Sequence, residues 1–120
     1  MMKENVIIRY SDVQGGWPGD GNIDVDPHFA SPGRWVDGDN PATVVTPTYS
    51  NAAWIDGDYH LKSKAGRWDP ASGGWVLADV TSPCIDAGDP GTPVADEPLP
   101  NGGRINMGAY GGTGQASKSL

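Results

Sequence analysis

The chain's only cysteine lies in SPCIDAGDP, Ser82–Pro90, which also carries two aspartates. A nucleophilic cysteine needs a base within hydrogen-bond reach, and His28 and His60 are the two histidines of the chain. Cys84 follows a proline and precedes an isoleucine, so no neighbouring cation lowers the pKa of its thiol. Because free cysteine usually packs as a small apolar residue, we expect Cys84 to be buried. A reactive or intermolecular thiol is the alternative.

The two aspartates of the same segment could serve as the acid and base of a glycosidase. In the sequence IDAGDPG, however, Asp86 and Asp89 also fit an Asx turn and a turn before proline. We favour the turns, assign no catalytic residue and predict that the chain is not an enzyme.

The loop DGNIDVDP carries oxygen ligands at alternate positions: Asp20, Asn22, Asp24 and Asp26. An extended backbone would place these oxygens on one side, as in the first half of an EF-hand. Val25 stands where that loop needs glycine, and Ser31 where it needs a bidentate acid. We therefore favour plain turn and capping roles for this loop, and an irregular calcium site, completed by Asp37 or Asp39, is the alternative. Calcium is the one cofactor that the sequence suggests.

The tryptophans have two interpretations. All lie beside glycine, aspartate or alanine on predicted loops: Trp17, Trp35, Trp54, Trp68 and Trp75. In a chain with few leucines they favour a core or subunit interface. The alternative is a platform for sugar rings, for which Trp17, Trp35 and Trp54 are the candidates.

Composition predicts an ordered chain that is rich in loops. The 120 residues include 18 Gly and 11 Pro, yet five Trp and four Tyr argue against disorder. Acidic residues give a net charge of −7, and the eight Lys and Arg are scattered, so nucleic acid is not an expected partner. No apolar run is long enough to span a membrane, and the first residues do not resemble a signal peptide.

Strand signals are short and separated by glycine and proline. NVIIRYSDV, Asn5–Val13, is the clearest predicted strand, followed by Ala42–Tyr49 at a sheet edge because of Pro47. DYHLKS and GWVLADV predict two more strands, and no segment predicts a helix. We divide the chain into a strand or rung over 1–13, a loop-rich β region over 14–112 and a tail over 113–120. The predicted core consists of Ile8, Tyr10, Cys84, Ile85, Ile105, Met107 and Tyr110.

Two short sequences occur twice. WVDGDN and WIDGDY share Trp, an aliphatic residue and Asp-Gly-Asp, and GRWV is echoed by GRWD. Two copies are too few to establish a solenoid. A structural repeat and a chance similarity in an Asp- and Gly-rich chain both remain open.

Four motifs carry a resemblance to a known family. YSDVQGGWPGDGNIDVDPHF, GDYHLKS, SPCIDAGDP and NGGRINMGAYGGT occur in this order. The order resembles the C-terminal end of secreted right-handed parallel β-helix proteins of bacteria, the pectin-lyase-like surface proteins. The resemblance implies an all-β fold, a last rung with a loop-rich cap, and an extracellular or cell-surface location. The interval over residues 30–55 is longer than the connection in those proteins.

The resemblance also implies a role. The last rung of a β-helix exposes unpaired backbone groups and an open apolar core, which a cap must cover. With few rungs of its own, the chain is expected to bind upstream rungs or copies of itself as an oligomer or filament. The catalytic groups of pectin-lyase-like proteins lie on rungs that this chain lacks. A carbohydrate-binding module of a secreted polysaccharide-targeting protein is the alternative function.

Overall fold

The structure, a computed structural model, describes residues 6–119. It contains seven short strands: β1 Phe29–Ser31, β2 Arg34–Asp37, β3 Asn40–Val44, β4 Ala52–Ile55, β5 Asp58–Leu61, β6 Arg67–Asp69 and β7 Gly74–Val76. No helix occurs within the described range. The predicted all-β class with little or no helix is therefore confirmed. No helix able to cross a membrane is present in residues 6–119.

The strands form three small antiparallel sheets. β1 pairs with β5, β6 pairs with β7, and β2 lies between β3 and β4. Asp37 begins the turn between β2 and β3, where its carboxylate accepts the backbone N–H of Asp39. β3 lies at a sheet edge and ends before Pro47, which cannot donate to a ladder. A β-helix rung is not seen in the described part of the chain.

The strand predicted over Asn5–Val13 is wrong for residues 6–13, and Asn5 lies outside the described residues. Tyr10 has φ of 50°, a left-handed conformation that a strand does not contain. The side chain of Asn22 accepts from Ser11 N–H and donates to Ile8 C=O, so a side chain replaces a neighbouring strand. The one sheet-like contact of this segment is a parallel bridge between Asp12 and Ile23.

The second predicted strand, Ala42–Tyr49, is shifted and shorter, since β3 covers Asn40–Val44. The chain leaves the sheet at Val45, whose N–H still donates to Trp35 C=O, before the proline that prevents further pairing. The strands predicted in DYHLKS and GWVLADV correspond to β5 and β7.

The apolar core is small and lies between β5 and the loops that follow residue 82. Its buried members are Leu61, Cys84, Ile85 and Met107, with Tyr10, Ile23, Phe29 and Ala87 packed against them. Of the other predicted core residues, Ile8, Ile105 and Tyr110 are half-buried.

Loops after residue 82 are joined by single hydrogen bonds rather than ladders. Met107 N–H donates to Cys84 C=O, and the Asn106 amide bonds both Asp86 N–H and Ser117 C=O. Buried Glu97 accepts from the backbone N–H of Asn106 and Gly112 through one carboxylate oxygen, while its other oxygen has no partner. Polar side chains thus satisfy the backbone groups that sheets would otherwise pair.

The molecule is flat. It measures 46 × 45 × 21 Å and has a radius of gyration of 16.4 Å. A compact domain of this length has a radius of gyration of about 14 Å. A single chain therefore buries little apolar surface.

Candidate functional site

The N-terminal segment forms a parallel pair with one free side. Ile23 N–H donates to Ser11 C=O, and Val13 N–H donates to Ile23 C=O, both at 2.9 Å. In this pattern the N–H and C=O of Asp12 point away from Ile23. Neither group has a hydrogen-bond partner within residues 6–119. We call this side of residues 11–13 the free edge.

The side chain of Asp12 joins the free edge to two other segments. One carboxylate oxygen accepts Val25 N–H at 3.1 Å, and the other accepts the thiol of Cys84 at 3.2 Å. Asp12 therefore holds the DGNIDVDP loop and the Ser82–Pro90 segment beside the parallel pair. Sequence patterns carry no signal for this role of Asp12, because its contact with Cys84 joins residues far apart in the chain.

An open groove of about 960 Å³ runs beside the free edge. Apolar side chains of the core line it: Tyr10, Phe29, Leu61, Cys84 and Met107. Three carboxylates of the N-terminal loops and two basic side chains lie along it as well: Asp12, Asp24, Asp26, His28 and Lys62. The core is thus partly open at the end of the molecule where the parallel pair lies.

The thiol of Cys84 is held in its protonated form. Burial, with the hydrogen bond to the Asp12 carboxylate, raises the pKa of Cys84 to about 11. The residue is 3% exposed. A protonated, buried thiol packs as an apolar group and is a weak nucleophile at neutral pH.

Within residues 6–119 neither histidine is hydrogen-bonded to Cys84. His60 is 2% exposed, and its ring nitrogens lie 2.5 Å from Asp58 Oδ1 and 2.8 Å from Gln115 Oε1. The ring of Tyr110 stacks on it with 3.7 Å between centroids. His60 therefore fastens the C-terminal segment to β5. His28 lines the groove near Asp26, with 3.8 Å between ring nitrogen and carboxylate.

The predicted calcium ligands are not gathered around one point. No group of three or more His, Cys, Asp or Glu side chains in residues 6–119 could hold a metal ion. Asn22 uses its side chain to bond Ile8, Ser11 and Trp17, and Asp26 accepts the N–H of His28. Asp20 contributes its backbone carbonyl to Tyr10 N–H, and Asp24 lines the groove. The loop is used for turns and backbone bonds.

The aspartates of the Ser82–Pro90 segment have turn-like surroundings. Asp89 accepts the N–H of Gly91 through its side chain at 2.9 Å, which is an Asx turn. Asp86 has φ of 58° and accepts Gly102 N–H at 3.3 Å. These contacts give each carboxylate a structural role.

Four of the five tryptophans form two cross-strand pairs. Trp35 on β2 lies opposite Trp54 on β4, with ring centroids 5.3 Å apart and planes at 62°. Trp68 on β6 lies opposite Trp75 on β7, with 5.6 Å and 75°. We call these the first and second tryptophan pairs. Trp17 lies in the N-terminal loop, where its carbonyl accepts from the Asn22 amide.

Each pair begins with the same short sequence. Gly33-Arg34-Trp35 opens β2 and Gly66-Arg67-Trp68 opens β6, and both glycines have positive φ, 78° and 127°. The echo between GRWV and GRWD is thus a repeated structural element. The echo between WVDGDN and WIDGDY has a different basis, because its tryptophans are partners in one antiparallel pair.

Comparison with known proteins gives one family match. Residues 30–88, just under half of the chain, match the model of a family described as disaggregatase related. The matched range contains both tryptophan pairs and the whole interval over residues 30–55. No curated protein and no solved structure matches the chain. The chain is therefore similar, over β2 to β7 and the loop that follows, to the disaggregatase-related family.

Proposed function

We propose that the chain is a non-catalytic structural domain that caps a parallel β-helix or assembles with copies of itself, at the cell surface or outside the cell. The free edge carries this proposal. Unpaired N–H and C=O groups of an extended segment are a template for another strand. Asp12 presents both groups beside a groove that opens onto the core.

Exposed apolar side chains of the N-terminal loops favour a protein strand as the partner of the free edge. Val6, Ile7 and Val25 are 50%, 74% and 46% exposed. The Val25 N–H donates to the Asp12 carboxylate. Ile7 precedes Ile8, whose C=O accepts from the Asn22 amide. A strand that pairs with Asp12 would bury part of these side chains, at about 25 cal/mol per Å² of apolar surface.

The flat shape and small core support the same proposal. Within residues 6–119 the buried apolar residues are Val36, Leu61, Cys84, Ile85, Met107 and Ala116. A core of this size gives little stability to a chain of 120 residues. Contact with rungs or with other copies adds buried surface that one chain lacks.

The chemistry of the site supports a structural role rather than catalysis. The Cys84 thiol is protonated because its pKa is raised to about 11, and His60 is enclosed by Asp58, Gln115 and Tyr110. The extracellular location rests on the resemblance to secreted β-helix surface proteins.

Sedimentation velocity over a concentration series tests self-assembly. From about 10 μM to about 1 mM, the range in which weak interfaces form, we expect the mass to rise above that of one chain. Ile7→Lys should weaken association at least about tenfold, because it places a charge on an exposed apolar residue of the segment that carries the free edge. Val44→Lys is the matched control on β3, where Val44 is 68% exposed. A strict monomer, or equal losses in both variants, would contradict self-assembly through this edge.

The capping form has its own test. A parallel β-helix of roughly three rungs, fused before residue 6, should cover the free edge and abolish the self-association. A fusion protein that associates as strongly as the chain alone would show that the edge is not the surface involved.

A further inference from the structure

We propose that the face of β2 and β4 that carries the first tryptophan pair binds an uncharged, hydroxyl-rich saccharide. This site is separate from the free edge and does not depend on the proposed capping role. It is formed by two aromatic rings and a group of polar side chains at one end of the same face.

The register of the sheet assembles the site. Trp35 lies opposite Trp54, and Asp37 lies opposite Ala52 two residues along each strand. Because side chains alternate between the faces of a sheet, these four lie on one face. Ala52 adds only a methyl group to this face beside Asp37. A sugar ring can therefore contact the rings and the carboxylate together.

Trp54 is exposed and yet held in place. The residue is 44% exposed, while its indole N–H donates to Asp56 Oδ1 at 2.9 Å. Trp35 packs against it edge to face, and Gly33 approaches so closely that a Cβ there would lie 2.5 Å from the Trp54 ring. A ring fixed before binding loses little conformational entropy when a ligand stacks on it.

Polar groups beside the rings are arranged as hydrogen-bond acceptors. Asp37 accepts from the Asn51 amide at 3.0 Å and from the Tyr49 hydroxyl at 3.3 Å. The Asn51 amide also donates to Asp39 at 3.0 Å. The carboxylates retain further lone pairs, and all four side chains reach the surface. This surface accepts hydroxyl protons.

An exposed indole ring beside carboxylates favours a saccharide as the ligand. The π face of an indole attracts the weakly positive C–H groups of a sugar ring, and carboxylates accept its hydroxyl protons. Asp37 and Asp39 repel an acidic sugar, and the chain as a whole carries a net charge of −7. The ligand is therefore a neutral glycan and not a polyuronate.

The second tryptophan pair provides an internal control. Lys118 Nζ lies 4.4 Å from the centroid of the Trp75 ring and covers one of its faces. The C-terminal segment thus blocks access to one ring face in a pair that has the same cross-strand geometry. Substitutions of Trp75 should leave saccharide binding unchanged.

The test is a fluorescence titration of the whole chain with neutral β-glucan, xylan and mannan oligosaccharides and with polygalacturonate. We expect a saturable change with at least one neutral ligand and none with polygalacturonate. Trp54→Ala should weaken binding at least about tenfold, the loss of one stacking platform, whereas Trp75→Phe should not change it. Asp37→Asn should reduce neutral binding and lessen the exclusion of polygalacturonate. Circular dichroism checks that each variant is folded.

Several results would overturn the proposal. These are no change with any neutral glycan, equal binding by Trp54→Ala, or preference for polygalacturonate. If the face instead binds a second copy, Trp54→Ala would lower the mass in sedimentation and saccharides would have no effect. Because the free edge is tested with Ile7→Lys, failure of the glycan site and failure of the capping role are distinguishable.

Discussion

The two tryptophan pairs have the same local structure and different surroundings. Both follow a glycine of positive φ and an arginine, and both place tryptophans opposite each other on antiparallel strands. In the second pair both tryptophans are half-buried, and Lys118 lies over one face of the Trp75 ring. The first pair keeps Trp54 open to solvent. The local sequence is therefore the same in both pairs, and contacts from distant segments determine whether the tryptophan rings are accessible to solvent.

The largest effect is expected from a glycine that supports the first pair. In Gly33→Ala the new Cβ would meet the Trp54 ring at 2.5 Å and Ile55 C=O at 2.9 Å, at φ of 78°. Strain and overpacking together should lower the free energy of unfolding by about 3 kcal/mol. Gly73→Ala is the control in the second pair, where φ is 67° and the Cβ meets open space.

Gly73→Ala should cost about 1 kcal/mol, from backbone strain alone. Urea denaturation monitored by tryptophan fluorescence measures both values. Equal losses would show that the Trp54 ring can move away from residue 33, and the first pair would then not be preorganised.

A smaller effect is expected from opening the second pair. Lys118→Met removes the cation above Trp75 while it keeps the length of the side chain. The free energy of unfolding should fall by about 0.5–1 kcal/mol, and acrylamide should quench tryptophan fluorescence more strongly. Lys64→Met is the control, since Lys64 is exposed on the loop after β5. No gain in quenching would mean that Lys118 does not shield the ring.

The smallest effect concerns the turn of the second pair. The Ser72 hydroxyl, followed by the N–H of Ala71, lowers the pKa of the Asp69 carboxyl. Ser72→Ala should therefore raise that pKa toward its ordinary value of 3.8. Because the pKa of the Asp69 carboxyl is lower in the folded chain, the ionised carboxylate stabilises the folded state at pH values above 3.8. This stabilisation is lost as the pH falls through the pKa of the folded state.

NMR titration of the Asp69 carboxyl carbon measures the change directly. Ser50→Ala, an exposed serine between β3 and β4, should leave that titration unchanged. An Asp69 pKa that is the same with and without the Ser72 hydroxyl would remove the hydrogen bond from the account of this turn.

The sequence predicted the all-β class and the absence of helix, because glycine, proline and aspartate interrupt every apolar run. The echo of GRWV and GRWD left a repeat and a chance similarity open from sequence alone, and the paired strands β2–β4 and β6–β7 distinguish them. The backbone conformation of Tyr10 could not be predicted, because its positive φ accompanies contacts with the loop around Asp20 and Asn22. The strand predicted there failed for that reason. The packing of Tyr10 against the core agrees with the predicted core.

Long-range side-chain contacts were equally beyond sequence reasoning. Asp12 binds Cys84, His60 binds Gln115, and Lys118 covers Trp75. Each contact joins segments separated by loops, and local propensity carries no information on which loops meet. The roles of the DGNIDVDP loop are also long-range, since the Asn22 side chain bonds the backbone of Ile8, Ser11 and Trp17.

Amide hydrogen exchange at Asp12 tests the central proposal most directly. If a strand from a second copy pairs with the free edge, exchange of the Asp12 N–H should slow at least about tenfold between micromolar and millimolar chain. The N–H of Ser50, in the exposed loop between β3 and β4, should exchange at the same rate at both concentrations. An Asp12 amide that exchanges equally fast while sedimentation shows larger species would contradict strand addition at this edge.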